Sequence, residues 1–309
     1  MTSVRFERPT PSAADARVAL RTVRDLMRWS VTRMAAADVG FGHGTADAWD
    51  EAAWLVLWSL RLPPDRLEPV LDARLAPAEV AAAIELVERR CTERLPAAYL
   101  TGEAWLRGVR FLSDPRALVP RSPIAELLDT DALAPWLPDD DAVGRVLDLC
   151  TGGGSLAILA ARRFPAAEVV GADLSADALG LAADNVALHG LGERVTLRRG
   201  DLWAPVEGER FELVVCNPPY VNGGSMDVLP AEYRAEPQGA LGGGADGMDV
   251  IRRIVAGARD HLEPGGLLVL EIGHEAPFFE AAFPGLEFAY VPTEGGDDRI
   301  VLLERDALP

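Results

Sequence analysis

Arg145-Val146-Leu147-Asp148-Leu149-Cys150-Thr151-Gly152-Gly153-Gly154 reads as a buried strand running into a glycine loop, with a helix over about 154–163 behind it. Glycine is needed where the backbone turns sharply or approaches a ligand closely. In an open α/β sheet that place is the carboxyl end of a strand, where the strand order reverses. From this point on, apolar runs and helical periods alternate. Strands are expected at about 145–149, 167–172, 194–198, 211–216, 267–272, 286–291 and 299–304, and helices at about 154–163, 176–189, 246–262 and 275–282. Such alternation makes a mostly parallel sheet covered on both faces. The last two strands have no helix between them. The short Glu294-Gly295-Gly296-Asp297-Asp298 turn suits an antiparallel hairpin there.

Upstream, the patterns are helical. Val18, Leu20, Val23, Leu26, Met27, Val31 and Met34 space a helix over 13–38; others are expected at about 47–60 and 77–94, punctuated by Pro63-Pro64 and Pro96. Five of the seven tryptophans lie in the first 105 residues and suit the core of a small bundle. Residues 104–112 read as a short hairpin around Gly108, and Ser122-Pro123 as the opening of a helix. The expected organisation is a helical, substrate-recognising domain over 1–103, a β-hairpin linker over 104–121 and an α/β domain over 122–309. Seven strands ending in a hairpin resemble the class I (Rossmann-like) methyltransferase layout, here preceded by a small helical domain.

The glycine loop alone leaves the ligand open. Gly152-x-Gly154-x-x-Ala157 also fits a dinucleotide pattern, and Asp173 stands where a ribose-binding acid would be in either case. Two features favour S-adenosyl-L-methionine. Asp148, four residues before Gly152, could meet a methionine ammonium and would repel a pyrophosphate. Asp201-Leu202 follows the third strand, where an acid can accept an adenine amino group and an apolar neighbour can pack its ring; a turn cap is the competing explanation for Asp201.

Val214-Val215-Cys216-Asn217-Pro218-Pro219-Tyr220 ends the fourth strand. Two prolines would stop a strand, but that does not account for the Asn before them or the aromatic after them. A conjugated NH₂ attacks a methyl sulfonium only when its lone pair is localised and aimed. The Asn217 amide oxygen and the Pro218 carbonyl can each accept one N–H, Pro218 and Pro219 stiffen the loop, and Tyr220 offers a flat face. Catalysis is then positioning plus electrostatics. The motif does not separate a glutamine amide from a nucleobase amine.

Composition narrows the choice. The net charge is −18, and all 30 basic residues are arginine, a bias best ascribed to the source genome. Nucleic-acid binders draw affinity from phosphate neutralisation, so general nucleic-acid binding is not expected, whereas a basic protein partner would be steered in. Cys91, Cys150 and Cys216 have neither zinc-ligand nor redox spacing, so no metal site is expected, and a reducing cytoplasm fits them. Neither a leader segment nor a membrane span is evident.

The whole chain resembles the protein-glutamine N-methyltransferases. The resemblance lies in the helical front, a Pro-Arg segment before the first strand, Asn217-Pro218-Pro219-Tyr220, and the run Glu236-Pro237-Gln238-Gly239-Ala240-Leu241 with Gly244-Ala245-Asp246-Gly247. Arg28-Trp29-Ser30-Val31-Thr32-Arg33, Gly42-His43-Gly44-Thr45, Trp49-Asp50-Glu51-Ala52, Val119-Pro120-Arg121-Ser122-Pro123-Ile124 and Leu229-Pro230-Ala231-Glu232-Tyr233-Arg234 are similar to the branch acting on ribosomal protein L-three. The resemblance implies cofactor contacts from Cys150, Thr151, Gly152, Gly153, Gly154, Asp173, Asp201, Leu202 and Asn217. It implies that Asn217, Pro218, Pro219 and Tyr220 hold the glutamine, with Arg121 and Glu236 as substrate-side or loop-ordering residues. Cys150 stands where many relatives have glycine, and Gly153 where many have Thr or Ser. A release-factor glutamine and a nucleobase amine are the alternative substrates.

Overall fold

A computed structural model describes residues 10–137 and 139–309. By contact density the chain forms two units. One runs to Gly102 and also takes in Pro230–Ala235; the other is Glu103–Leu229 with Glu236–Pro309.

The first unit holds helices α1 (Ala13–Ala19), α2 (Val23–Ala36), α3 (Ala48–Ser59), α4 (Leu67–Val70), α5 (Pro77–Glu93) and α6 (Ala97–Thr101). The single helix expected over 13–38 is two. Thr22 and Asp25 form a capping box that starts α2 afresh. The break is held by backbone bonds to another segment: Leu75 N–H donates to the Arg21 carbonyl, and Arg24 N–H to that of Leu71. Trp29, Leu26, Leu55 and Ile84 fill the core, each worth roughly 1.5–3 kcal/mol when fully buried.

A charged cluster is buried in the same unit. Arg90 Nε donates to Glu51 at 2.6 Å and its Nη1 to Glu232 at 3.1 Å, while Arg94 Nε reaches Glu232 at 2.6 Å. Gly40 N–H also donates to Glu232. Burial pulls the Glu232 carboxyl upward, but its hydrogen bonds to Arg94 and Arg90 prevail and hold it down to about 2. Glu232 therefore fixes Pro230–Ala235 in the helical unit, although most of the sequence around it belongs to the other.

The second unit opens with the expected hairpin, β1 (Glu103–Leu106) and β2 (Val109–Leu112), turned at Arg107-Gly108, both with positive φ. After α7 (Ile124–Asp129) come β3 (Arg145–Leu149), α8 (Ser155–Arg163), β4 (Glu168–Asp173), α9 (Ala176–Leu188), β5 (Val195–Arg199), β6 (Phe211–Cys216), α10 (Gly223–Val228), α11 (Asp249–Ala258), β7 (Leu262–Glu271), α12 (Ala276–Ala282), β8 (Ala289–Tyr290) and β9 (Ile300–Glu304). The sheet runs β5-β4-β3-β6-β7-β9-β8, parallel except for β9, which is antiparallel to both neighbours. This is the expected seven-stranded class I methyltransferase fold.

Alternate residues of β3 and β6 serve opposite faces. Val146, Leu213 and Val215 join one core, while Leu147, Leu149, Val214 and Cys216 join the other. Both faces are apolar, as a covered parallel sheet requires. Two expectations shift. The strand at 286–291 shrinks to Ala289–Tyr290, an edge paired on one side alone. The helix at 246–262 starts at Asp249, because Gly247 has φ +80° and the Asp246 carboxylate takes the Met248 N–H instead.

Candidate active site

The strand order reverses between β3 and β6, and the loops that leave these two strands are the glycine loop and the Asn217–Tyr220 run. Leu149 pairs with Cys216, so the two loops leave the sheet at the same level.

The glycine loop is held from behind. Asp148 is buried, and its Oδ2 accepts from Thr151 Oγ1 at 2.5 Å and from the Ala157 N–H at 2.8 Å. Its Oδ1 is also buried and has no hydrogen-bond partner among the described residues. Burial is the main cause that raises the Asp148 carboxyl to about 7. The sequence suggested a carboxylate open to a ligand; the fold shows one that braces the loop and keeps a single acceptor over.

Asp173 ends β4 and holds the loop from the other side. Its Oδ2 accepts from Gly152 N–H and its Oδ1 from Ser175 N–H, both at 2.8 Å. Gly152, Gly154 and Cys150 all have positive φ. The left-handed region is uncommon for a residue with a Cβ, so Cys150 holds a conformation that glycine would adopt at no steric cost. Burial first, and the neighbouring Cys150 second, push the Cys216 thiol well up.

Asn185 adds a support that no motif in the sequence marks. It is buried on α9, accepts from Leu112 N–H at 2.7 Å and donates to the Gly153 carbonyl at 2.9 Å. A polar residue on the apolar side of a helix was the available signal. Beyond β5, Asp201 pairs through Oδ2 with Arg253 at the surface, and Leu202 packs at the edge of the core. Leu174, directly after Asp173, is 65% exposed, an apolar side chain presented beside the loop.

The Asn217–Tyr220 run is built differently. Pro218 is buried, while Asn217, Pro219 and Tyr220 are half-buried. Neither the Asn217 side-chain amide nor the Pro218 carbonyl has a hydrogen-bond partner among the described residues. Tyr220, by contrast, is fixed. Its hydroxyl donates to Glu271 Oε1 at 2.7 Å. A side chain at Gly273 would collide with its ring, and one at Gly247 with its carbonyl oxygen. Gly243 and Gly247 thus lack side chains where the chain passes the Pro219 and Tyr220 carbonyls.

Arg121 and Glu236 are brought together. Arg121 Nη1 and Nη2 grip the two oxygens of Glu236 at 2.6 and 2.8 Å, and Val119 N–H donates to the same carboxylate at 2.9 Å. The Glu236 side chain is fully buried. The pair ties the segment before α7 to the segment that follows Ala235. Ser122 Oγ accepts from Ile124 N–H, so it caps α7 from one residue further out than expected, with Pro123 at the N-cap position. No cluster able to hold a metal ion is found among the described residues, and none of their helices is long and apolar enough to cross a membrane.

Residues 128–232 match a family model described as the methyltransferase small domain. The chain is 57% identical over 289 residues to the ribosomal protein uL3 glutamine methyltransferase of Bordetella pertussis, covering 94% of this chain and 97% of that one. To the Burkholderia pseudomallei protein of the same name it is 54% identical, covering 94% and 96%. To that of Bradyrhizobium diazoefficiens it is 48% identical, covering 91% and 90%.

Proposed function

The chain belongs to the ribosomal protein uL3 glutamine methyltransferase family, and from this we propose that it methylates the side-chain amide nitrogen of a glutamine in ribosomal protein uL3, with S-adenosyl-L-methionine as donor. One observation carries the reading. At the end of β6, two acceptors without partners, the Asn217 amide oxygen and the Pro218 carbonyl, stand beside an immobilised aromatic, Tyr220.

The residues around the glycine loop fit the donor. Asp148 contributes an unused buried acceptor and negative charge for the methionine ammonium. Asp173 would meet ribose hydroxyls and Asp201 the adenine amino group, with Leu202 and the exposed Leu174 to pack the ring. Cys150, Thr151, Gly152, Gly153 and Gly154 supply the close-approaching backbone. Bound there, the sulfonium makes its methyl carbon electrophilic.

The chain's own residues then act on the acceptor nitrogen. Asn217 and Pro218 each accept one N–H of the glutamine NH₂, which turns the nitrogen lone pair out of conjugation and aims it. Tyr220 and Pro219 wall the planar amide. Methyl transfer to the aimed nitrogen, with the neutral thioether as leaving group, would make one N–H proton acidic, and that proton would pass to solvent. No base has to act before attack. Arg121 and Glu236 serve by ordering the loops around the motif. The charge of −18 supports a basic substrate protein, met in the cytoplasm, and speaks against general nucleic-acid binding.

The test uses the full chain with isotope-labelled donor and three acceptors: uL3, a release factor and duplex DNA. Label is expected on a uL3 glutamine, located by mass spectrometry. Label on the release factor or DNA alone would overturn the assignment.

A further inference from the structure

Glu271 is the last residue of β7, an acid closing the apolar run Leu267-Leu268-Val269-Leu270. Leu270 pairs with Cys216 across β6, so Glu271 lies level with Asn217. It is buried, and its two carboxylate oxygens are used separately. Oε1 accepts the Tyr220 hydroxyl at 2.7 Å, and Oε2 accepts the Ser122 hydroxyl at 2.5 Å. Hydrogen bonds from hydroxyls to a carboxylate are short and about twice as strong as neutral ones. Enclosed in this way, Glu271 cannot reach a substrate amide and cannot serve as its base. Its chemistry must pass through Tyr220.

Tyr220 is tied at one point and closely approached at two others. Glu271 fixes the hydroxyl, Gly273 admits the ring and Gly247 admits the carbonyl. An aromatic that only filled space would need no buried carboxylate at its tip. An aromatic that must present its face at one angle does need one, because rotation about its side-chain bonds would otherwise carry the wall away from the amide. Ser122 extends the arrangement. It ties Glu271 to the segment whose Arg121 and Val119 hold Glu236.

We propose that Glu271, seconded by Ser122, is a positioning residue for methyl transfer, holding the Tyr220 ring at the angle that orients the glutamine amide toward the donor. The proposal deepens the glutamine-methyltransferase reading and rests on it for the identity of the acceptor. Ser122 thereby joins Pro120–Pro123 to the catalytic apparatus without touching substrate.

E271Q is the discriminating substitution. The glutamine keeps the size of the side chain but offers an NH₂ where one of the two hydroxyls needs an acceptor. In the full chain, E271Q is expected to lower kcat about tenfold, with KM for uL3 and affinity for S-adenosylhomocysteine within about twofold. Y220F should cost about as much, and the E271Q/Y220F pair no more than the larger single loss, the mark of one shared contact. S122A should lose about threefold in kcat. Independently of substrate, the ¹³Cζ resonance of Tyr220 should move in E271Q and S122A.

An unmoved Tyr220 resonance in E271Q overturns the inference, as does wild-type kcat. So do losses that multiply in the double variant to about a hundredfold. A loss of cofactor affinity together with a lowered Tm would show a purely structural carboxylate, which also overturns it. If E271Q does not fold, S122A and Y220F carry the same cycle. A wild-type chain that binds S-adenosylhomocysteine but leaves uL3 unmodified defeats the proposed function, while the resonance measurement still decides the Glu271–Tyr220 contact.

Discussion

Asp148 and Glu271 are both buried carboxylates on inner strands of one sheet, one beside each half of the site, and they are satisfied differently. Glu271 has an O–H donor on each oxygen. Asp148 has two donors on Oδ2 and none on Oδ1. A buried acceptor without a partner costs about 1–3 kcal/mol, so evolution retains one only where something else completes it. The acceptor side of the site is finished by the protein itself and serves as a rigid wall. The cofactor side stays unfinished until its ligand arrives. Asn217 and Pro218, beside the Tyr220 wall, belong with the unfinished groups.

The sharpest way to break this division is at Asn217. N217A is expected to reduce methyl transfer about 10²–10³-fold, the scale of losing one preorganised polar partner, with cofactor affinity largely kept. Isothermal titration with S-adenosylhomocysteine beside single-turnover transfer separates the two. Loss of binding without loss of chemistry would reverse the assignment.

Asp148 gives the next largest effect. D148N should weaken cofactor affinity about tenfold, in keeping with a lost charged hydrogen bond. The pH dependence follows from the raised carboxyl. With its folded value at about 7 and its unfolded value near 4, the free protein holds this proton more tightly than the unfolded chain, and loses stability as pH climbs between them. An ammonium ligand favours the ionised form, so affinity should rise as pH goes from about 6 to 8, with proton release on binding. Calorimetry in two buffers of different ionisation enthalpy measures that release, and D148N should abolish it. A flat profile in the wild type would mean that Asp148 is completed by nothing.

The smallest effect concerns Asp201, whose partner Arg253 is an exposed arginine. Surface pairs contribute little, so R253A should change cofactor affinity by less than about twofold. A larger loss would place Arg253, and not only Asp201, in the binding site.

The glycine loop and the Asn217–Tyr220 run were legible because each is a few consecutive residues at the end of a strand, and alternation places strand ends. The parallel sheet was legible for the same reason. Ser122 and Glu271 were not, because their meaning arises from a contact across 149 positions, and each alone looks like a cap or a strand end. Asn185 escaped in the same way, pinning Leu112 from 73 residues away. The break near Thr22 was hidden because Leu20-Arg21-Thr22 contains neither proline nor glycine, and the interruption is held by Leu71 and Leu75.

The burial of Glu232 among Arg90, Arg94 and Gly40 has a consequence for how such a chain can be cut or recombined. A boundary drawn at Gly102 would look clean in the sequence, yet a catalytic fragment starting there would carry a carboxylate stripped of both its arginines, and the excised front would keep Arg94 without that carboxylate and Arg90 with Glu51 alone. The front unit is therefore not a cassette. Chimaeras that exchange it would have to exchange Pro230–Ala235 along with it.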